Sequence, residues 1–330
     1  MTPGARTTAW VVAALVGVAG IVLAVPVGPG TYGVAQVVSF RALLALGMLV
    51  PALVVLAVPA VRRVALPVGL ALLLGGLAQA GVLVARSIGT EPFAEVDAPS
   101  ADGATGTTLT VLAFNTLDAV DAATIAALAT AHAADVVVLP ETSRTTAEET
   151  AALLTTGGRT MQVLSVDGSV PSIAATSLLV DTAVGTYPRA DPLATRLGSF
   201  TAVPTTAGSP VLVAAHPLAP TRRGAMPTWR TETALVADAC RATPGAIVAG
   251  DLNATLDHPG LTDLDPCVDA ARAVGAAAHG TWPATAPSLL AAPIDHVLVD
   301  GRAWAVTGFR VLAATGTSDH RPVVALLARR

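Results

Sequence analysis

The chain of 330 residues is 53% hydrophobic and only 13% charged, with a mean hydropathy of +0.65, too apolar for one water-soluble domain, so part of it is expected in lipid. All 19 basic residues are arginine, which excludes lysine Schiff-base chemistry, a P-loop lysine and a lysine-rich nucleic-acid tail. Charge is also unevenly divided: residues 1–86 carry five arginines and no acid, whereas the remainder carries 14 arginines against all 23 acidic residues, a balance of −9.

Three apolar runs come first, at residues 9–27, 42–60 and 64–85. Each approaches the ~20 residues that a helix needs to cross a hydrocarbon core. The sequence therefore predicts a membrane anchor of three transmembrane helices over residues 1–89. Arg6 and the Arg62/Arg63 pair fall on one side of these spans and Arg41 and Arg86 on the other, so the arginine bias places the N-terminus in the cytoplasm and the chain beyond Arg86 outside it. Arg41, at the start of the second run, is expected to snorkel to the interface. The spans carry no carboxylate or histidine that would mark a transport path. GPGTYG at Gly28–Gly33 matches a dinucleotide fingerprint only in letters: it lies between two apolar runs and reads as a loop. Residues 90–107, rich in small and acidic residues with proline and glycine, read as a flexible linker.

From residue 108 to 330 short apolar runs alternate with helical stretches. Strands are expected at 109–114, 135–140, 176–180, 210–216, 246–250, 294–299 and 322–327, and helices at 119–133, 145–154 and 228–240. This is the pattern of one α/β domain with a sizeable core. GxSxG, HExxH and paired CxxC motifs are absent, which removes the main support for serine-hydrolase, zincin and zinc-ribbon chemistry.

Polar residues gather at the strand ends: Asn115, Glu141, His216, Asp251 with Asn253, Asp295, and Ser318-Asp319-His320 before the last strand. Such placement converges on one sheet edge, where α/β folds bind ligands. Glu141, Asp251 and Asp319 with a carboxamide and histidines, and no cysteine, form a hard donor set that favours Mg²⁺ or Mn²⁺ over zinc and suits phosphoester hydrolysis. Asp295 paired with His320 forms a candidate base for water, His216 can protonate the leaving oxygen or hold a phosphate oxygen, and Asn253 can orient the nucleophile. Trp282 is open between a core residue and a substrate platform, and so is Trp229. Arg222 and Arg223 are either a solvated face or a phosphate grip. His258 is expected to act locally and His296 to pack, on the strand face opposite Asp295. Cys240 and Cys267, the only cysteines, are candidates for a disulfide around the Asp251–Asn253 loop in an oxidising compartment.

The ordered set AFNTL, LPET, AAHPLAP, VAGDLNAT, PIDHVLV and TSDHRPV resembles the endonuclease/exonuclease/phosphatase superfamily, the DNase I-like fold. The resemblance implies two packed mixed β-sheets flanked by helices, with Asn115 and Glu141 at a divalent metal and Asp319 nearby. It also implies that Asp251 and Asn253 position nucleophile and phosphate, that His216 contacts phosphate or leaving group, and that Asp295 with His320 is the acid/base pair. The abasic-site nucleases carry an aspartate where this chain has Thr116 and Leu117, which turns the expectation away from that subgroup. The expected activity is Mg²⁺-dependent phosphoester hydrolysis by a membrane-anchored, extracytoplasmic phosphodiesterase or nuclease. A nucleic acid, a phospholipid head group or an envelope phosphoester is the expected substrate, and membrane lipid a partner. The alternative is a metal- or phosphate-binding module without turnover.

Overall fold

The computed structural model describes residues 3–25, 28–90 and 108–330, in two compact units, Met1–Arg86 and Ser87–Arg330. Residues 91–107, nearly all of the expected linker, lie outside the described residues.

The first unit is helical: α1 (Pro3–Ala24), the short α2 (Val34–Ser39), α3 (Arg41–Ala57) and α4 (Pro59–Arg86). Two of these, α1 over Thr7–Ala24 and α4, are long and apolar enough to cross a membrane. The expectation of three such spans is thereby corrected. α3 has 17 residues, about 26 Å at 1.5 Å per residue and short of a hydrocarbon core of about 30 Å. Its end follows from Val58, which is extended (φ −93°, ψ 108°) because it precedes Pro59. Proline then opens α4 where its missing N–H costs nothing. Snorkelling of Arg41 is likewise corrected: its side chain is buried and donates to the Leu23 carbonyl and to Gln79 Oε1, while Gln79 Nε2 donates to the Gly20 carbonyl at 3.0 Å. The guanidinium thus meets the last turn of α1, where helix carbonyls lack partners.

The second unit contains β1 (Thr108–Ala113), α5 (Ala122–Ala131), β2 (Val136–Leu139), α6 (Arg144–Thr156), β3 (Met161–Val166), β4 (Thr176–Asp181), β5 (Asp191–Pro192), β6 (Phe200–Ala202), β7 (Leu212–Ala215), α7 (Met226–Ala242), β8 (Ile247–Asp251), β9 (Cys267–Asp269), α8 (Ala270–Ala273), β10 (Asp295–Asp300), β11 (Trp304–Val311) and β12 (Val323–Arg329). They form two six-stranded mixed sheets, in the orders β11-β12-β1-β2-β4-β3 and β5-β6-β7-β8-β10-β9. β1 runs parallel to β2 and β7 parallel to β8, and the other pairings are antiparallel. Each parallel pair requires a crossover, which α5 and α7 supply.

Alternation builds the core. Val111 and Ala113 of β1, Val136 and Val138 of β2, and Leu178 and Val180 of β4 face Phe200, Leu212, Ile247, Ala249, Val297 and Val299 of the other sheet. The residues between them, Leu112, Val137, Leu139 and Leu179, pack outward onto Ile125, Ala126 and Ala129 of α5 and Ala147, Ala151 and Leu154 of α6. α7 covers β7, β8 and β10. Both faces of the central strands are therefore buried, which explains why they read as unbroken apolar runs.

Candidate active site

The central parallel strands end side by side, and their ends carry the polar residues. Asn115 stands two residues beyond β1, Glu141 two beyond β2, His216 one beyond β7, and Asp251 is the last residue of β8. Gly250 (φ +141°) precedes Asp251 because a Cβ there would lie 2.1 Å from the Ala215 carbonyl oxygen on the paired strand. Glu141 and Asn253 both adopt left-handed backbone (φ +48°), a strain of order 1–2 kcal/mol for a side-chain-bearing residue and one that collects at functional sites.

Asn115 Nδ2 donates to Glu141 Oε1 at 3.0 Å and to Asp251 Oδ2 at 3.1 Å. His216 Nε2 lies 3.6 Å from Glu141 Oε1 and 3.9 Å from Asp251 Oδ2. His320 Nδ1 and Asp295 Oδ2 are 2.8 Å apart, and the opposite ring nitrogen lies 3.7 Å from Asp251 Oδ2 and 4.0 Å from Asp319 Oδ1. Asn253 N–H donates to Asp251 Oδ1 at 2.8 Å and its Nδ2 to the Pro217 carbonyl at 3.1 Å. Eight of the strand-end residues singled out in the sequence thus meet in one group, with Asn115, His216, Asp251, Asp295 and His320 buried and Glu141, Asn253 and Asp319 partly exposed.

Around this group lies a layer that the sequence does not mark. Trp282 Nε1 donates to Asp319 Oδ2 at 2.8 Å, a support for a site carboxylate that is neither of the two readings the sequence left open. Trp229 is buried and donates from Nε1 to the Asn253 carbonyl at 2.9 Å. His258, stacked edge-on against Trp229, accepts the Thr255 N–H through Nδ1. Glu232 on α7 accepts the Arg196 and Leu218 N–H groups, and Ser199 Oγ accepts the His216 N–H, which fixes the loops either side of His216. Ser318 Oγ donates to the Asn115 carbonyl and accepts the His320 N–H. Such partners have no motif; of them the sequence singled out only Trp229, Trp282, His258 and Ser318, without their contacts. Arg222 and Arg223 are exposed in the turn that leads into α7. Cys240 and Cys267 are disulfide-bonded and tie the end of α7 to β9.

Electrostatics separate the ionisable groups. Burial drives the His216 imidazole down to about 4 against the nearby Asp251 carboxylate, leaving it neutral at neutral pH. Burial also opposes the charged form of His320, but the Asp295 and Asp251 carboxylates outweigh it and raise the ring to about 10. Burial raises the Asp251 and Glu141 carboxyls above their ordinary range. Opposed shifts among neighbours are the signature of assigned acid and base roles.

The donor set fits a hard divalent cation. His216 Nε2 and one oxygen each of Asp295 and Asp319 are buried without a hydrogen-bond partner. Asp251, Asp295 and His320 present ligand-type atoms within 4.8 Å of one another. Asp295 is hydrogen-bonded to His320, and Glu141, Asp251, Asp319 and Asn115 are the other oxygen-bearing side chains of the cluster.

A family model for the Endonuclease/Exonuclease/phosphatase family matches residues 112–320. The chain belongs to this family, whose members hydrolyse phosphoester bonds and are in general divalent-metal dependent. Solved structures share the fold. An endonuclease/exonuclease/phosphatase from Beutenbergia cavernae is 20% identical, with 67% of this chain and 72% of that one covered and a TM-score of 0.50. One from Bacteroides vulgatus is 15% identical, with coverages of 68% and 100% and a TM-score of 0.51. D. rerio TDP2 complexed with single-strand DNA product is 14% identical, with coverages of 67% and 99% and a TM-score of 0.53. No curated protein matches.

Proposed function

We propose that the chain is a membrane-anchored, extracytoplasmic phosphoesterase dependent on Mg²⁺ or Mn²⁺. The observation that carries this reading is the meeting of Asn115, Glu141, His216, Asp251, Asn253, Asp295, Asp319 and His320 in one largely buried cluster. Glu141, Asp319 and Asn115 would hold the ion, which would supply Lewis acidity at the phosphate. Asp251, its basicity increased by burial, takes the proton of the attacking water. Asn253 orients that water. His320, held protonated by Asp295, donates from Nε2 to a phosphate oxygen and supplies the proton of the leaving oxygen. This moves the base from the Asp295/His320 pair to Asp251. Neutral His216 binds phosphate without adding charge.

Two features support the location. The apolar side chains Leu15, Val18, Leu53, Leu74 and Val84 of the helical unit are exposed, as a lipid-facing surface requires, and the Cys240–Cys267 disulfide suits an oxidising compartment. A reporter active only in the cytoplasm, fused after Arg330 and found active, would reverse the topology. The excess of acid beyond Arg86 disfavours sequence-independent binding to a nucleic-acid backbone, so a phospholipid head group or envelope phosphoester is the preferred substrate, gripped in part by Arg222 and Arg223.

The deciding experiment is hydrolysis by the full chain in detergent across DNA, RNA, phospholipid and simple phosphate esters, with Mg²⁺, Mn²⁺ or EDTA. Metal-dependent cleavage of one class names the substrate; no cleavage of any class by folded protein rejects the enzyme reading.

A further inference from the structure

His296 follows Asp295 on β10, so its side chain lies on the opposite strand face, away from the phosphate chemistry. It is buried, and both ring nitrogens are engaged: Nδ1 is 2.8 Å from Asp269 Oδ2 and Nε2 is 2.9 Å from the Ala254 carbonyl oxygen. Both partners are acceptors, and a neutral imidazole owns one N–H, so the ring that satisfies both carries two protons. The Asp269 carboxylate supports that form, overcoming the burial that opposes it. Asp269 is itself fixed, since its other oxygen accepts the Arg272 N–H at 2.7 Å at the start of α8.

The far end of this strut is the loop that matters to hydrolysis. Ala254 follows Asn253, the left-handed residue whose N–H holds Asp251 Oδ1. Leu252 N–H is anchored on the Ile294 carbonyl at 2.9 Å and the Asn253 carbonyl on Trp229. The Ala254 carbonyl completes the set, and His296 is its partner. Releasing it frees the C-terminal side of Asn253 to relax out of a strained conformation, which turns its carboxamide and the N–H on Asp251.

We propose that His296 is a positioning residue, a strut from Asp269 to the Ala254 carbonyl that holds Asn253 and Asp251 in working geometry. The inference rests on the hydrolase reading of Asp251 and Asn253.

The test compares His296→Gln, which keeps a donor at the reach of Nε2, with His296→Asn, which reaches only as far as Nδ1, and with His296→Phe. Turnover of a nitrophenyl phosphate diester by the full chain in detergent is measured with Mg²⁺, well below each variant's melting temperature, beside backbone hydrogen exchange. Displacing catalytic groups by about an ångström costs roughly 100-fold. Asn and Phe are expected to lose kcat by roughly 10- to 100-fold at unchanged KM, with exchange protection lost over residues 252–258, while Gln stays close to the parent in both. A purely structural histidine would give Gln and Asn variants of equal melting temperature and equal kcat, and that result overturns the proposal. Phe failing to fold leaves the Gln/Asn pair to decide. If the parent itself turns over no phosphoester, the hydrolase reading fails, and exchange over residues 252–258 alone judges the strut.

Discussion

The two sheets of the hydrolase unit are built alike and used differently. In each, a central parallel pair (β1 and β2, β7 and β8) ends at the site, flanked by antiparallel strands. The first sheet delivers Asn115 and Glu141, joined by Asp319 from the turn before β12; the second delivers His216, Asp251 and Asp295. Their surroundings diverge: the Glu141 and Asp319 side chains are 15% and 42% exposed, whereas those of His216, Asp251 and Asp295 are 0%, 2% and 0% exposed. A partly open edge suits a hard ion that keeps some of its water. A closed edge suits proton transfer, because burial holds His216 neutral and raises Asp251, while the Asp295 and Asp251 carboxylates keep His320 protonated against that burial. Under the proposed function one architecture offers an ion-holding side and a proton-handling side, and the His320–Asp295 bond joins the sheets between them.

The sharpest way to break this division is to exchange carboxylates for carboxamides on the two sides. Asp251→Asn, on the proton side, is expected to lower kcat by roughly 10³-fold with the apparent Mg²⁺ affinity kept. Steady-state kinetics across a metal titration checks it, and recovery of activity by excess metal would place Asp251 on the ion side instead.

Next in size is the covalent tie across the second sheet. The Cys240–Cys267 bond closes a loop of 27 residues around Asp251 and Asn253, a constraint on the unfolded chain of about 3–4 kcal/mol. Denaturant unfolding of the double Cys→Ser variant should show a loss of that order. Turnover at low temperature should persist, since Cys267 pairs with Asp300 at the end of β10 away from Asp295 and Asp251.

A smaller effect is expected on the ion side. Glu141→Gln keeps the shape and the contact with Asn115 but removes a charge, and should weaken metal affinity by roughly 10- to 100-fold. Calorimetric Mg²⁺ titration reads this directly, and unchanged affinity would remove Glu141 from the ligand set.

Much of this division is legible in the sequence because it sits at strand ends. AFNTL, LPET, GDLN and SDHRP each follow or precede an apolar run, so the family, the two-sheet fold and the residues that meet at the site can be read locally. What cannot be read depends on partners distant in the chain. His296 looks like a packing residue until Asp269 and Ala254 are found at either end of its ring. Trp229 and Glu232 look like one face of α7 until the Asn253 carbonyl and the two loop N–H groups close on them. β5, β6 and β9 are two or three residues long, too short to show a period, and β11 has a register shift between Val306 and Gly308 that disturbs its alternation. In the helical unit the apolar runs are plain, but α3 falls short of a span because Pro59 fixes Val58 in extended backbone.

The joint between the sheets makes the last prediction, a pH dependence of stability without metal whose slope, per pH unit, is small. His320 has a folded pKa raised to about 10, above the roughly 6.5 of an unfolded histidine. Such a group binds its proton more tightly in the folded state, so its stabilisation is complete below about pH 6.5 and is lost as pH rises from there toward 10. The slope is at most about 1.4 kcal/mol per pH unit for one histidine, and His296, also raised, adds to the same limb. Urea unfolding in EDTA between pH 6.5 and 9.5 should show this decline. Asp295→Asn removes the first of the two carboxylates that hold the His320 proton, so it should flatten the His320 part of the slope and leave that of His296. An equal slope in the variant would mean that Asp251 alone sustains the imidazolium and that the proton side does not depend on the bridge to β10.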